Sequence, residues 1–357
     1  MCEGDNCQSS VFVDDLPEQT RVDVEVDVEV ANVTQDDVEV ANELVLTNLN
    51  MGYCCINTYL RDLGIFTSRT CRLDTVKQSG LDYIYKLAHQ NIDDLSAIFR
   101  WNYRNKMYLF RMSSEMFPFA SHPDFYQRYD FQQFTKRLRE LGELANGYRQ
   151  TLTFHPGQYN QLTSHRPDVV EKTVIEIDIH AKILDIMGCG RDSVIVIHGG
   201  SKHDGKEAAL ERFRKNFMML SDSSRSRLVL ENCEMAYSIQ DLLPVSEELG
   251  IPIVIDYHHH NINPGTIIST NQLLEITERV LKVWRSRGIT PLFHLSESRR
   301  GVKLTDSITT RRAHSDYIET LPDALLQTLQ TTRINLDIEA KMKERAVLRL
   351  FNKYKIV

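Results

Sequence analysis

Six short apolar stretches of the sequence each end in a histidine, an aspartate or a glutamate. The stretches are TLTFH, VIVIH, LVLE, PIVID, PLFH and INLDIE, and they end in His155, His198, Glu231, Asp256, His294 and Glu339. Imidazole nitrogens and carboxylate oxygens are the ligands that Zn²⁺ and Mn²⁺ commonly take in proteins. A pocket formed by these six ends would repel itself electrostatically unless cations bound there. The pattern therefore indicates a centre for divalent metal ions.

Two further histidines extend the candidate ligand set to eight. His314 lies in a loop, and one of the three consecutive residues His258, His259 and His260 follows Asp256. Strand alternation favours His258 or His260, but the chain leaves the strand near this point, so the residues alone do not choose. Eight ligands are too many for one tetrahedral ion and fit two or three ions that share bridging carboxylates. Clustered divalent ions indicate phosphoester chemistry, because they ionise a water and offset the charge of phosphate and leaving oxygens.

The remaining histidines have ordinary interpretations. We assign five of them to the surface or to packing, namely His89, His122, His165, His180 and His203.

Strand and helix patterns alternate along the chain and supply the scaffold for these residues. The strand candidates cover residues 51–57, 106–113, 151–155, 193–198, 227–231, 252–256, 290–294 and 333–339. The helical patterns cover residues 73–103, 128–147, 167–187, 205–221, 237–249, 271–287, 315–329 and 340–353. Eight short, continuously apolar strands, each followed by a helix, predict an α/β fold of the (β/α)8 TIM-barrel type, in which all strand ends open onto one face. A doubly wound open sheet is the alternative, but no glycine-rich phosphate loop follows the first strand.

Composition limits the class of protein. The 357 residues are 42% hydrophobic and 25% charged, which fits a soluble protein with one large α/β domain or two ordinary ones. No apolar stretch approaches the length of a membrane span, and the N-terminus lacks the features of a signal peptide. Seven cysteines without a CxxC pair indicate reduced thiols. We therefore expect an intracellular protein that is not secreted and has no membrane partner, while nucleus and cytoplasm remain open.

Charge divides the chain near residue 48. Residues 1–48 contain 13 acidic residues and one basic residue, whereas the remaining 309 contain 36 acidic and 41 basic residues. The first segment is predicted to be a flexible acidic extension, and residues 49–357 a catalytic barrel domain. Valine and acid alternate over residues 21–42, which we interpret as a solvated spacer. A regulatory tail that competes with DNA for the basic domain is the alternative, since basic residues that neutralise phosphates supply non-specific affinity for nucleic acid.

Nine stretches of the sequence together resemble the UV damage endonuclease (UvdE) family. In order, they are GYCCIN, FRMSSEMFPFASH, TFHPGQYN, VIHGG, LENCE, IDYHHHNINPG, FHLSESR, HSDYI and DIEAKMKERA. They span residues 51–346, which is nearly the whole of the predicted barrel domain. HPGQYN and the acid followed by three histidines are the distinctive motifs.

The resemblance implies a metal-dependent TIM-barrel endonuclease, related to endonuclease IV and to xylose-isomerase-like barrels. Members nick damaged double-stranded DNA on the 5′ side of ultraviolet photoproducts, leave a 3′-hydroxyl and a 5′-phosphate, and usually work with Mn²⁺; Zn²⁺ and Mg²⁺ are alternatives. Abasic sites are a further candidate substrate, and no obligate protein partner is evident.

The family's residue roles carry over position by position. Its metal ligands fall on His155, His198, Glu231, Asp256, His259, His294, His314 and Glu339, which selects the middle histidine of the triplet by analogy. Among them, Glu231, His198 and Glu339 are the expected catalytic residues. The residues implied to probe the lesion fall on Gln158 and Tyr159, and on Tyr53 and Asn57 after the first strand. A flat amide and an aromatic ring fit a wedge that occupies the gap left by flipped bases.

One position departs from the family pattern. Two residues before His294, the family often has a lysine that can be carboxylated to bridge two metals, and here the residue is Leu292. Leucine cannot bind a metal, so either a water or hydroxide forms the bridge or the centre holds fewer ions.

Two other classes of function compete with the nuclease. A metal-dependent sugar isomerase or epimerase would use similar ligands, although the HPGQYN motif argues against it. A protein that binds damaged DNA without cutting would be expected to have lost metal ligands, and only the Leu292 position is lost. Basic residues between 299 and 312 are candidates for phosphate contacts: Arg299, Arg300, Lys303, Arg311 and Arg312.

Overall fold

The computed structural model describes residues 46–356, so nearly all of the predicted acidic extension lies outside the described residues. The strands are β1 (Leu49–Cys54), β2 (Leu109–Arg111), β3 (Thr151–Thr153), β4 (Ile195–His198), β5 (Leu228–Glu231), β6 (Ile253–Val254), β7 (Leu292–Leu295) and β8 (Ile334–Ile338). All eight strands predicted from the sequence are present. Within the described residues, no helix has both the length and the apolar character that a bilayer crossing requires.

All strand pairings are parallel, and they close a ring. One sheet has the order β3-β2-β1-β8-β7 and the other the order β4-β5-β6. Two parallel bridges join the sheets, one between Phe154 and Ile195 and one between Asp256 and His294. Each strand therefore has a neighbour on both sides, which confirms the predicted TIM barrel.

Helices surround the barrel. They are α1 (Thr58–Asp62), α2 (Leu73–Ser79), α3 (Leu81–Arg104), α4 (Gln132–Gly147), α5 (Pro167–Ile186), α6 (Lys206–Phe217), α7 (Asp222–Arg227), α8 (Ile239–Leu249), α9 (Tyr257–Ile262), α10 (Thr270–Arg287), α11 (Ile308–Arg311), α12 (Asp323–Leu329) and α13 (Glu344–Tyr354). The predicted helix over residues 73–103 is divided in two at Gly80, whose φ of 77° lies outside the helical region. The pattern over residues 315–329 forms a helix only after Pro322, whose fixed φ and missing N–H suit a helix start.

Alternation along the strands determines which side chains enter the barrel. His294 and Leu292 lie on one face of β7, and Asp337 and the following Glu339 lie on one face of β8. Leu292 is 2% exposed and belongs to the hydrophobic core. An apolar side chain therefore lies one layer below His294, and the polar side chains are concentrated where the strands end.

Candidate metal centre

Glu231 lies at the centre of four histidines. The residue is fully buried at the end of β5. Its Oε2 is 2.7 Å from His155 Nε2 and 3.4 Å from His198 Nδ1. Its Oε1 is 3.0 Å from His294 Nδ1 and 3.4 Å from His259 Nδ1. One carboxylate thus contacts three imidazoles from strand ends and a fourth from the helix that follows β6, an arrangement that allows it to bridge two cations.

The charges around Glu231 favour its ionised form. Burial alone would raise the pKa of Glu231, but the nearby His198, His294 and His155 hold it well below the usual value. Burial lowers the pKa of His198 to about 4. Burial also opposes protonation of His294, but the Glu231 carboxylate outweighs it and raises the pKa of His294 to about 9. The proton that the raised pKa places on His294 would have to leave before His294 could bind a cation.

His259 is selected from the histidine triplet by a helical turn. Asp256 is the N-cap of α9, and its Oδ1 accepts a hydrogen bond of 2.7 Å from the His259 backbone N. Its Oδ2 lies 3.5 Å from His259 Nδ1. Strand alternation does not apply here because the chain is already helical at Tyr257, and residues three apart share a face of a helix, so Asp256 and His259 lie together. Burial raises the pKa of Asp256. Burial disfavours a charged His259, but the carboxylates of Asp256, Glu231 and Glu234 outweigh this effect and raise its pKa.

Glu339 forms the opposite side of the cluster. Its Oε1 is 3.5 Å from His294 Nδ1, and its Oε2 is 3.9 Å from His314 Nε2. The guanidinium of Arg111, at the end of β2, is hydrogen-bonded to the same carboxylate. Burial disfavours the charge of Glu339, but Arg111 and His294 hold its pKa below the usual range. Glu339 is therefore ionised, and its hydrogen bond with Arg111 orients its carboxylate.

The donor atoms fit divalent cations. Ligand atoms within 4.8 Å of one another occur in three groups of the predicted residues: His155, His198 and Glu231; His155, His294 and Glu339; and Glu231, Asp256 and His259. His155 and Glu231 each belong to two groups, as expected of a centre with shared ligands. Several buried atoms also lack a hydrogen-bond partner, among them His198 Nδ1, His294 Nε2 and Asp256 Oδ2. Buried polar atoms without partners are costly, and a bound cation would satisfy them.

A cavity of about 190 Å³ opens at this end of the barrel. Its lining residues are His155, Gln158, His198, Glu231, Glu234, His259, Arg312, His314 and Glu339. Six of the eight predicted ligands line this cavity, and the other two, Asp256 and His294, are fully buried behind it.

Four residues of this region were not expected at the site from the sequence. Cys54 Sγ lies 3.2 Å from Asp337 Oδ1, and Asp337 Oδ2 lies 3.5 Å from Arg111 Nε, directly below Glu339. Alternation could have identified Asp337, because it lies two residues before Glu339. Glu234 lines the cavity three residues after Glu231 and ends the LENCE stretch, but its position in the sequence gave it no role.

Two predicted probing residues lie at the cavity. Gln158 lines it, and the side chain of the adjacent Tyr159 is 92% exposed. The loop between β3 and α5 makes a turn here, with a hydrogen bond of 2.9 Å from Asn160 N to Gly157 O. The ring of Tyr159 therefore projects from an ordered turn beside the candidate metal ligands.

The other two predicted probing residues are buried. Tyr53 is 0% exposed and Asn57 is 1% exposed. Asn57 Nδ2 donates to Tyr53 OH at 2.9 Å, and that hydroxyl donates to Asn102 Oδ1 at 2.7 Å. Asn57 also caps α1 by accepting a hydrogen bond from Leu60 N. In this conformation both side chains have structural roles, and a contact with DNA would require the packing to open.

The five histidines assigned to surface or packing do not take part in the cluster around Glu231. His180 is buried beside Phe154, with Nδ1 2.6 Å from Glu176 O. The His165 and His203 rings stack 3.8 Å apart. The two remaining rings contact phenylalanines, His89 with Phe134 and His122 with Phe125.

Comparison with known proteins gives consistent matches. The family model described as UV-endonuclease UvdE matches residues 49–357. The UV-damage endonuclease of Schizosaccharomyces pombe is 41% identical over 313 residues, which cover 86% of this chain and 51% of that protein. A putative UV-damage endonuclease of Acanthamoeba polyphaga mimivirus is 37% identical, with 86% and 91% covered. The chain thus spans about half the length of the first of these relatives. The crystal structure of SacUVDE is similar with a TM-score of 0.73 and 28% identity, covering 87% of this chain and all of that one.

Proposed function

The chain belongs to the UV-endonuclease UvdE family, and on that premise we propose that it is a DNA repair endonuclease. It nicks the backbone of double-stranded DNA on the 5′ side of ultraviolet photoproducts and leaves a 3′-hydroxyl and a 5′-phosphate. The observation that carries the proposal is the buried Glu231 carboxylate, which contacts four imidazoles from different segments of the barrel. Such a cluster has little use in a protein that only binds damage.

The eight predicted ligands would hold two or three divalent ions. They are His155, His198, Glu231, Asp256, His259, His294, His314 and Glu339. Mn²⁺ is the proposed metal, with Zn²⁺ and Mg²⁺ as alternatives, since nitrogen and oxygen donors suit all three to different degrees. When bound, the ions would activate a water and offset negative charge on the phosphate.

The chain's own residues prepare the donors for this role. Asn232 O lies 3.0 Å from His259 Nδ1, and a carbonyl at this nitrogen accepts a hydrogen bond from Nδ1–H, which leaves Nε2 free for a ligand. Arg111 fixes the Glu339 carboxylate. Arg111 and Asp337 are positioning residues in this proposal, since they act through Glu339 and His294.

Leu292 removes one bridging group from the centre. Because its side chain is packed in the hydrophobic core, this position of β7 supplies no ligand. Glu231 contacts histidines through both of its oxygens and is the candidate to take over the bridging role.

Lesion recognition is assigned to Gln158 and Tyr159. An exposed ring on an ordered turn can enter the duplex where stacking is already weakened, because unstacking a damaged dinucleotide costs less than unstacking a sound one. A role for Tyr53 and Asn57 at the DNA would need the network with Asn102 to open, and we give them a supporting role for the loop after β1.

A nicking assay tests the proposal. The full chain, loaded with Mn²⁺ and with bound metal measured, is incubated with an ultraviolet-irradiated duplex labelled at one 5′ end and run on a denaturing gel. We expect a single cut 5′ to the photoproduct and none in the unirradiated duplex. Intact strands would reject the nuclease in favour of a damage-binding protein, provided that the damaged duplex is still bound. Isomerisation of a ketose without nicking would support the sugar isomerase.

A further inference from the structure

Glu234 is a buried acid that the predicted ligand set does not include. Its side chain is 3% exposed, and it lines the cavity together with His259 and His314. We propose that Glu234 is a further metal ligand, which binds a divalent cation on the Nε2 side of His259, the side opposite Glu231. The inference rests on the proposed metal centre and adds one carboxylate ligand to it.

The two oxygens of Glu234 have different environments. Oε1 accepts a hydrogen bond of 3.1 Å from Arg312 Nη1. Oε2 is buried and has no hydrogen-bond partner. Burying a carboxylate oxygen away from water without a hydrogen-bond partner costs free energy. Such an atom in a folded protein indicates a partner that is missing from the protein itself. A cation in the adjoining cavity would supply the missing partner.

A nitrogen that is itself available as a ligand lies close to this oxygen. Glu234 Oε2 lies 3.6 Å from His259 Nε2, which is too long for a hydrogen bond. Because His259 Nδ1 is 3.0 Å from Asn232 O, neutral His259 has its proton on Nδ1 and a lone pair on Nε2. Two donors about 2.1 Å from one ion in tetrahedral geometry are about 3.4 Å apart. The observed separation therefore fits a shared cation with little movement.

The ring of His259 separates this position from the rest of the cluster. Its Nδ1 edge lies near Glu231 Oε1 at 3.4 Å and Asp256 Oδ2 at 3.5 Å, whereas its Nε2 edge faces Glu234. His314 lines the same cavity and is the third candidate donor. Nitrogen and oxygen donors of this kind suit Mn²⁺ or Zn²⁺.

Arg312 is the competing cation. Its side chain is 42% exposed, and its guanidinium offsets the charge of Glu234. A metal ion on Glu234 would repel this guanidinium, so removal of the arginine charge must strengthen metal binding if the proposal is right. If Glu234 serves only as the ion-pair partner of Arg312, removal of the arginine leaves metal binding unchanged. The two roles therefore predict different results for the same variant.

The test measures metal without DNA. Wild type, Glu234→Gln, Glu234→Asp and Arg312→Gln are titrated with Mn²⁺, free Mn²⁺ is followed by electron paramagnetic resonance, and retained metal is counted by mass spectrometry. We expect Glu234→Gln to lose one ion per chain, or to weaken one site at least about 10-fold. Glu234→Asp should restore part of the binding, and Arg312→Gln should tighten the same site by roughly 3-fold or more, as expected when a competing charge is removed.

Glu247 and Arg279 provide the matched control, because they form an ion pair of 2.7 Å on the surface. Glu247→Gln and Arg279→Gln should leave both the number of ions and their affinities unchanged. Wild-type metal binding in folded Glu234→Gln would overturn the proposal, as would unchanged or weaker binding in Arg312→Gln. A wild-type protein that binds metal as expected but does not nick damaged DNA would instead count against the proposed nuclease activity. Failure of the Glu234 proposal and failure of the proposed function are therefore distinguishable.

Discussion

Asp256 caps the helix that carries His259 and at the same time lies against its imidazole. Oδ1 accepts the His259 backbone N–H at 2.7 Å, while Oδ2 is 3.5 Å from Nδ1. The acid and the histidine are three residues apart, so one turn of helix brings both to Glu231. This single cap explains why the middle residue of three consecutive histidines enters the cluster.

Glu231→Gln should remove nicking and metal together. An amide in place of the carboxylate leaves four histidines around a neutral group, so we expect nicking to fall by about 1000-fold or more. Binding to an irradiated duplex, measured by fluorescence anisotropy with chelator present, should remain. Turnover similar to that of the wild type would exclude Glu231 from the metal centre.

Tyr159→Ala should change selectivity and not stability. The ring is 92% exposed, so its loss should alter the free energy of unfolding by less than about 0.5 kcal/mol. We expect a larger loss of nicking on photoproduct DNA than on abasic DNA, because an abasic site needs no base to be displaced. Tyr83, 38% exposed on α3, is the control position. Equal losses on both substrates in Tyr159→Ala would show that the ring does not probe the lesion.

Asn57→Ala should reveal a structural role. The substitution removes the cap of α1 and the donor to Tyr53 OH, so we expect a loss of stability of about 1–3 kcal/mol in chemical denaturation. The affinity for damaged DNA of the fraction that remains folded should be near that of the wild type. Unchanged stability together with weakened DNA binding would instead favour direct contact with the substrate.

Metal removal should destabilise the wild type and have little effect on Glu231→Gln. An ion that binds only the folded chain adds about 2.7 kcal/mol when present at 100 times its dissociation constant. Chelator should therefore lower the thermal midpoint of the wild type, and Mn²⁺ should restore it. An equal decrease in both proteins would indicate that the stabilising ion lies away from Glu231.

Leu292→Ala should act on packing alone. The side chain is 2% exposed in the core, and its truncation should cost about 2–5 kcal/mol, as for other buried leucines. Leu336→Ala, at a fully buried position on the adjacent β8, is the comparison. Both variants should retain the metal count of the wild type, measured by mass spectrometry. A lower count in Leu292→Ala alone would show that this position supports the ligands above it.

The sequence by itself determined the barrel and most of the cluster. Apolar runs that end in His155, His198 and Glu231 identified both the strands and their polar ends, because strands covered on both faces are largely apolar until they reach the open end of the barrel. Side chains that close a regular strand can therefore be located from local pattern alone.

Only the tertiary structure decided what lies beyond the strand ends. The helix capped by Asp256 places His259 in the cluster, and Tyr53 and Asn57 are buried. Glu234 lies beside His259 at the same cavity. These outcomes depend on contacts between residues of different loops, such as Glu234 with Arg312, which lies 78 positions later. Local sequence has no periodicity in loops, and it cannot encode which distant loop will cover a given side chain.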